Sequence, residues 1–171
     1  MIQNMKKLNF LKAIIDFVWI MAIITIPIIL FLTGYIMFSN EPFDIPIKIN
    51  GNELVVVDLN SKIILVCFMI SSLLIIYSLY LFKKLLRLFQ LKIIFDLQVV
   101  QLLNKIGVIL ISSAIISGIS GFIFNFLKGN ISLSFELNSN VLLFSLGLFF
   151  IILSEVFTIA KSLKEENDLT F

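Results

Sequence analysis

Three polar side chains lie in or beside otherwise apolar segments of this chain and are the first candidates for chemistry. Asp16 lies just before the first segment, Asn125 lies in the third and Glu155 follows directly on the fourth. A carboxylate near the depth of a bilayer is costly to bury, so it is a functional-site hypothesis by default. Asp16 and Glu155 could form a paired acidic site, on which any transport by the chain would depend.

Each of these residues also has a structural interpretation. Lys12 precedes Asp16 by four residues on the same helix face and could pair with it. Glu155 lies near the inner boundary of its segment, where snorkelling and Lys161 could satisfy it. Asn125 is expected to point into the protein interior as a hydrogen-bonded structural group rather than as a ligand.

The residues that most enzymes need are scarce. The chain has no histidine and a single cysteine, Cys67, which lies inside the second apolar segment. Covalent catalysis needs a nucleophile with a base, and a metal site needs several ligands. No glycine-rich phosphate loop or metal-ligand spacing is present. We therefore expect a protein that is not an enzyme and that has no cofactor and no metal.

Four segments without a charge, 17–40, 63–82, 106–127 and 137–154, determine the fold class. The first has about 24 residues, enough at roughly 1.5 Å per residue to cross a hydrocarbon core of about 30 Å. It is also too long for a signal peptide, which indicates a retained helix. The composition agrees, since only 14% of residues are charged. The sequence predicts an all-α transmembrane four-helix bundle.

This bundle is expected to form one integral membrane domain over residues 1–171. Its predicted helices cover about 10–39, 61–90, 96–128 and 137–163, followed by a tail over 164–171.

The basic residues indicate how the bundle is oriented. Ten of the 13 Lys and Arg residues precede the first charge-free segment, lie between the second and third, or follow the fourth; Lys48, Lys62 and Lys128 are the exceptions. Positive residues resist translocation, so both termini are expected in the cytoplasm. The basic rim is expected to contact anionic lipid and not to bind nucleic acid directly.

The outer loops, 40–60 and 129–136, carry strand patterns. Isoleucine recurs at every second position from Ile45 to Ile49, and the hairpin signal Asn50-Gly51 follows. The second loop alternates apolar and polar residues in the same way. We predict a small extracytoplasmic β-cap of about three strands from the two loops; the alternative is two disordered loops.

The third helix has a predicted cap and a predicted packing face. Asp96 is the expected N-cap. Ser113, Ser117 and Gly121 recur every four residues, so one face allows a neighbouring helix to approach closely.

Two stretches carry a resemblance to a known family. The run IFDLQVVQLLNKIG at 94–107 resembles the start of the third helix in the bacterial membrane family called "domain of unknown function 2975". Glu155 on the fourth helix and the ending LKEENDLTF at 163–171 are similar to the carboxyl end of that family. The resemblance covers nearly the whole chain. It implies a multi-pass protein of the bacterial cytoplasmic membrane.

The resemblance also implies a partner, because many members of the family occur beside a small helix-turn-helix regulator. The acidic tail suits such a partner through Glu165, Glu166, Asp168, Leu169 and Phe171. The leading hypothesis is a non-enzymatic regulatory or sensory membrane protein that binds a small cytoplasmic DNA-binding regulator. The alternative is a small transporter or channel component, acting as a homo-oligomer. A frayed terminus is the structural alternative for the tail.

Overall fold

The structure is a computed structural model that describes the backbone of residues 2–39, 47–49, 52–54, 59–127 and 139–169. Four helices account for most of it, and each is long and apolar enough to cross a membrane, which confirms the prediction of a multi-pass membrane protein. The elements are α1 (Ile2–Phe38), β1 (Ile47–Ile49), β2 (Asn52–Leu54), α2 (Leu59–Gln90), α3 (Leu97–Leu127) and α4 (Ser139–Leu169).

Consecutive helices pack antiparallel. α1 meets α2 through Asn9 and Gln90 near one end, and through Ser39 and Lys62 at the other. α2 contacts α3 and α3 contacts α4 along their lengths, whereas α1 and α4 make little or no direct contact. The helices therefore follow one another in space as they do in sequence, and a gap remains between the first and the last.

α3 is the central helix of this arrangement. Within its most apolar membrane window 44% of the residues are buried, against 0% for α1. Val99, Leu103 and Ile106 of α3 are fully buried and pack with Leu85 of α2 in one hydrophobic cluster. The side chains of α1 face mostly outward, as expected of a helix whose solvent is lipid.

A structured turn joins α2 to α3. Lys92 adopts a φ of 60°, and the amide of Ile93 donates to the carbonyl of Leu88 at 3.0 Å, which ends α2 in the manner of a Schellman motif. Asp96 then caps α3, because its Oδ1 accepts the amide of Gln98 at 2.7 Å. The predicted N-cap is confirmed, whereas a lysine in the left-handed region had no glycine or asparagine to signal it.

Two helices extend beyond their predicted bounds. α1 begins at Ile2 instead of near residue 10, because no proline or glycine interrupts its polar first turns. α4 continues to Leu169, so the predicted tail is helical over 164–169. Lys161 pairs with Glu165 at 3.2 Å, one helical turn apart, which supports this extension.

The antiparallel packing gathers the basic residues at one end. We call this the basic end: α1 and α3 begin there, and α2 and α4 end there. At the opposite end, Lys62 donates to the carbonyl oxygens of Met37 at 3.2 Å and Ser39 at 2.9 Å. Met37 lies in the last turn of α1, where carbonyl groups lack an intrahelical donor, so Lys62 acts as a C-cap of this helix.

The loop between α1 and α2 contains a two-stranded antiparallel ladder. Ile47 lies opposite Leu54, and Ile49 lies opposite Asn52. The predicted turn at Asn50-Gly51 and the predicted second outer loop at 129–136 lie outside the described residues. Because no third strand joins the ladder within the described part of the chain, the cap of about three strands is not supported.

Candidate functional site

Asp16 forms an ion pair with α2. Its Oδ1 lies 2.9 Å from Nζ of Lys83, and both side chains are about one-third exposed, at 35% and 36%. Oδ1 itself is buried, and the ammonium is close enough for an ion pair without being aligned for a hydrogen bond. The expected pairing of Asp16 with Lys12 is therefore wrong, because the cation comes from the neighbouring helix.

This ion pair belongs to a set of contacts that hold α1 against α2 at the basic end. On one side, Nε2 of Gln90 donates to Oδ1 of Asn9 at 2.8 Å. On the other side, the rings of Trp19 and Tyr80 lie 5.4 Å apart. An ion pair within such a set positions one helix on the other, and removal of one partner would leave a partly buried charge.

Glu155 lies on an exposed part of α4. The preceding residue, Ser154, is buried, and its hydroxyl donates to the carbonyl of Val100 on α3 at 3.0 Å. Successive helical residues point about 100° apart, so Glu155 is turned away from this interface. Within the described part of the chain it has no ion-pair partner, Lys161 included. α1 and α4, which carry Asp16 and Glu155, make little or no direct contact.

Asn125 lies in the last turns of α3. Its side chain is outside the described residues, so its predicted inward direction stays a prediction. The three predicted polar residues thus belong to three helices: Asp16 is paired across α1 and α2, and Glu155 is exposed on α4.

The polar groups between the helices bond to one another. Ser71 and Ser113 place their hydroxyl oxygens 2.7 Å apart, and each hydroxyl lies 3.1 Å from the backbone carbonyl oxygen of the other residue. Between α3 and α4, the hydroxyl of Ser117 donates to Oδ1 of Asn140 at 2.7 Å. These bonds link helices, so we assign them to packing rather than to chemistry.

The end of α4 presents an exposed acidic segment. Glu165, Glu166, Asp168 and Leu169 are all exposed, and the helix runs through them without interruption. Phe171, the remaining predicted partner-binding residue, lies outside the described residues.

A cleft of about 570 Å³ occupies the gap between α1 and α4. All four helices line it, and its walls are apolar apart from Ser78, whose hydroxyl already donates to the carbonyl of Ile75 at 2.8 Å. We call this space the α1–α4 cleft. A cavity of this size is within the range of ligand sites, about 300–1,000 Å³.

Comparison with known proteins identifies the family. The family model described as "Protein of unknown function (DUF2975)" matches residues 33–171. The chain belongs to this family. The comparisons with curated proteins and with solved structures find no match.

The DUF2975 match includes the last turns of α1 and all of α2, α3 and α4. It thus contains Lys83, Glu155 and the acidic segment of α4, whereas Asp16 precedes it. The predicted membership of this family is confirmed.

Sequence reasoning missed several features of this DUF2975 protein. Lys83 was assigned to the basic rim, because residue order alone does not show which helix faces Asp16. Gly107 and Gly147 were not named in the predicted small-residue face, yet a Cβ added to either would lie within 3 Å of the carbonyl oxygen of the other. Two glycines on helices that are adjacent in sequence were the available signal.

Proposed function

We propose that this DUF2975 protein is a non-enzymatic regulatory or sensory membrane protein whose α4 end binds a small cytoplasmic helix-turn-helix regulator. The observation that carries the proposal is the exposed acidic segment at the end of α4. A helical segment offers a partner a fixed arrangement of side chains, which costs less conformational entropy on binding than an irregular terminus does.

The chemistry of the acidic segment suits a DNA-binding partner. Proteins that bind DNA carry basic surfaces, and complementary charge speeds and orients association. The negative pole of the α4 dipole adds to the charges of Glu166 and Asp168. Leu169 lies one turn beyond Glu165 and Glu166 and supplies an exposed apolar contact, at 86% exposure.

The proposal includes a topology in which the protein lies in the cytoplasmic membrane of a bacterium and its basic end, with both termini, faces the cytoplasm. The support is the positive-inside rule together with the gathering of lysine and arginine at that end. The outer loops would then face away from the regulator, where they could receive a signal. Labelling of engineered cysteines at Asn50 and Ser162 should reach them from opposite sides.

The test uses the full chain, tagged at its amino terminus and crosslinked in native membranes. The wild type should recover a helix-turn-helix protein, identified by mass spectrometry. The triple variant E165Q/E166Q/D168N, which keeps side-chain size and removes charge, should lose it. Glu155→Gln serves as the matched control, because it removes one exposed acid from the same helix outside the acidic segment.

Equal recovery with the triple variant and the wild type would reject the acidic segment as the binding element. Loss of recovery with Glu155→Gln as well would show that any acid on α4 matters, which also contradicts the proposal. Membrane insertion of every variant is checked by carbonate extraction.

A further inference from the structure

The α1–α4 cleft is open to the membrane along its side, because α1 and α4 make little or no direct contact there. Along α1 it extends from Ile15 to Ala22, about 10 Å at 1.5 Å per residue. A space this size that stayed empty would deprive its walls of dispersion contacts. In a bilayer, the cleft is expected to be filled.

The basic end of the cleft has a polar border. Ile15 and Phe82 line the cleft, and the next residues along each helix, Asp16 and Lys83, form the ion pair. Lys12 precedes Ile15 by three residues and lies about 60° around α1 from it, so it is one turn nearer the basic end and at the edge of the cleft face. Asp16 compensates the charge of Lys83, and Lys12 has no ion-pair partner among the described residues, so its charge is available to another anion.

We propose that the α1–α4 cleft binds one acyl chain of an anionic phospholipid whose phosphate group lies at Lys12. Such a lipid matches both properties of the site: its acyl chain suits the apolar cleft, and its phosphate group suits the cation at the basic end.

The experiment is native mass spectrometry of the full chain, released from vesicles that contain equal amounts of phosphatidylglycerol and phosphatidylcholine. The wild type should retain one phosphatidylglycerol and prefer it over phosphatidylcholine. Lys12→Gln should lower this preference about fivefold, the contribution of one basic residue near anionic lipid. Lys84→Gln is the charge control, because Lys84 is exposed and lies about 200° around α2 from Phe82.

A second pair of variants tests the cleft itself. Val18→Trp fills the cleft and should reduce the bound phosphatidylglycerol about fivefold or more. A fivefold loss is about what binding loses when one buried methylene group of the acyl chain is displaced. Ile24→Trp adds the same ring on the exposed opposite face of α1 and should leave lipid binding unchanged. Ala22→Leu is a smaller filling, with a smaller loss expected, and circular dichroism verifies that each variant is helical.

Three results would overturn the proposal. The first is undiminished lipid on both Val18→Trp and Ala22→Leu. The second is an equal loss of preference with Lys12→Gln and Lys84→Gln, which would mean that the basic end attracts anionic lipid without a defined site. The third is a dimer in the wild type that Val18→Trp removes while lipid binding persists, which would identify a second copy of the chain as the occupant.

Discussion

The close approach of α3 and α4 at Gly107 and Gly147 offers a direct test of how these helices pack. A Cβ atom on Gly107 would lie 2.6 Å from Cγ1 of Ile151 and 2.7 Å from the carbonyl oxygen of Gly147. A Cβ on Gly147 would lie 2.7 Å from Cγ1 of Ile111 and 2.9 Å from the carbonyl oxygen of Gly107. A side chain can rotate away, but a backbone carbonyl cannot, so an added methyl group at either position must separate the helices.

Gly107→Ala should therefore lower the free energy of unfolding. Overpacking of this kind costs about 1–3 kcal/mol, and the better helix propensity of alanine returns up to about 1 kcal/mol. Separation of the helices would also lengthen the hydrogen bonds of Ser117 and Ser154 on either side of the crossing. The difference between the overpacking cost and the gain in helix propensity is about 0–2 kcal/mol. Because these hydrogen bonds lengthen as well, we expect a net loss at the upper end, about 2 kcal/mol.

Two other glycines provide matched controls. A Cβ on Gly34 would meet no described atom within 4 Å. A Cβ on Gly118 would meet Nδ2 of Asn140 at 3.9 Å, which is an ordinary van der Waals contact. Alanine at either position should leave stability unchanged or raise it by up to about 1 kcal/mol. The double variant G107A/G147A should cost less than the two single variants added together, because helices already apart accept the second methyl group.

The single cysteine makes the measurement simple. Cys67 is half-buried in α2, so a fluorogenic maleimide reports its exposure as the protein unfolds in detergent on heating. A loss of about 2 kcal/mol corresponds to a fall in Tm of roughly 4–8 °C for a chain of this length. If Gly107→Ala unfolds at the same temperature as Gly118→Ala, the close approach of α3 and α4 is refuted.

Two further predictions use the same assay. Ser71→Ala and Ser113→Ala should each lower the free energy of unfolding by about 0.6 kcal/mol, the average for polar bonds between membrane helices. The double variant should lose less than the sum of the two single losses. Strict additivity would show that the two hydroxyls act separately. Asp16→Asn and Lys83→Met should each lower Tm more than the double variant D16N/K83M does, because a lone charge stays partly buried in either single variant. A double variant with a lower Tm than both single variants would contradict the pairing.

The sequence predicts the helices well because bilayer thickness imposes a length that composition alone reveals. The cap at Asp96 is predictable for a similar reason, since its partners are its own chain neighbours. The partner of Asp16 was predicted wrongly by the same local logic: Lys12 is near in sequence, but Lys83 is near in space. The positive φ of Lys92 at the end of α2 was also not predictable from local sequence, because the turn to Asp96 imposes a conformation that lysine does not favour.

The origin of the α1–α4 cleft lies in the distribution of small residues among the helices. α3 carries serine and glycine on several sides, so Ser113 draws α2 close and Gly107 draws α4 close. The outward-facing residues of α1 are mostly large and apolar, and the described contacts that fix it are with α2, from Asn9 through Asp16 and Trp19 to the Lys62 cap. None of these contacts draws α1 toward α4. A cleft therefore follows from a chain that concentrates its close-packing residues in α3, and a lipid-filled cleft is what such a chain requires in a membrane.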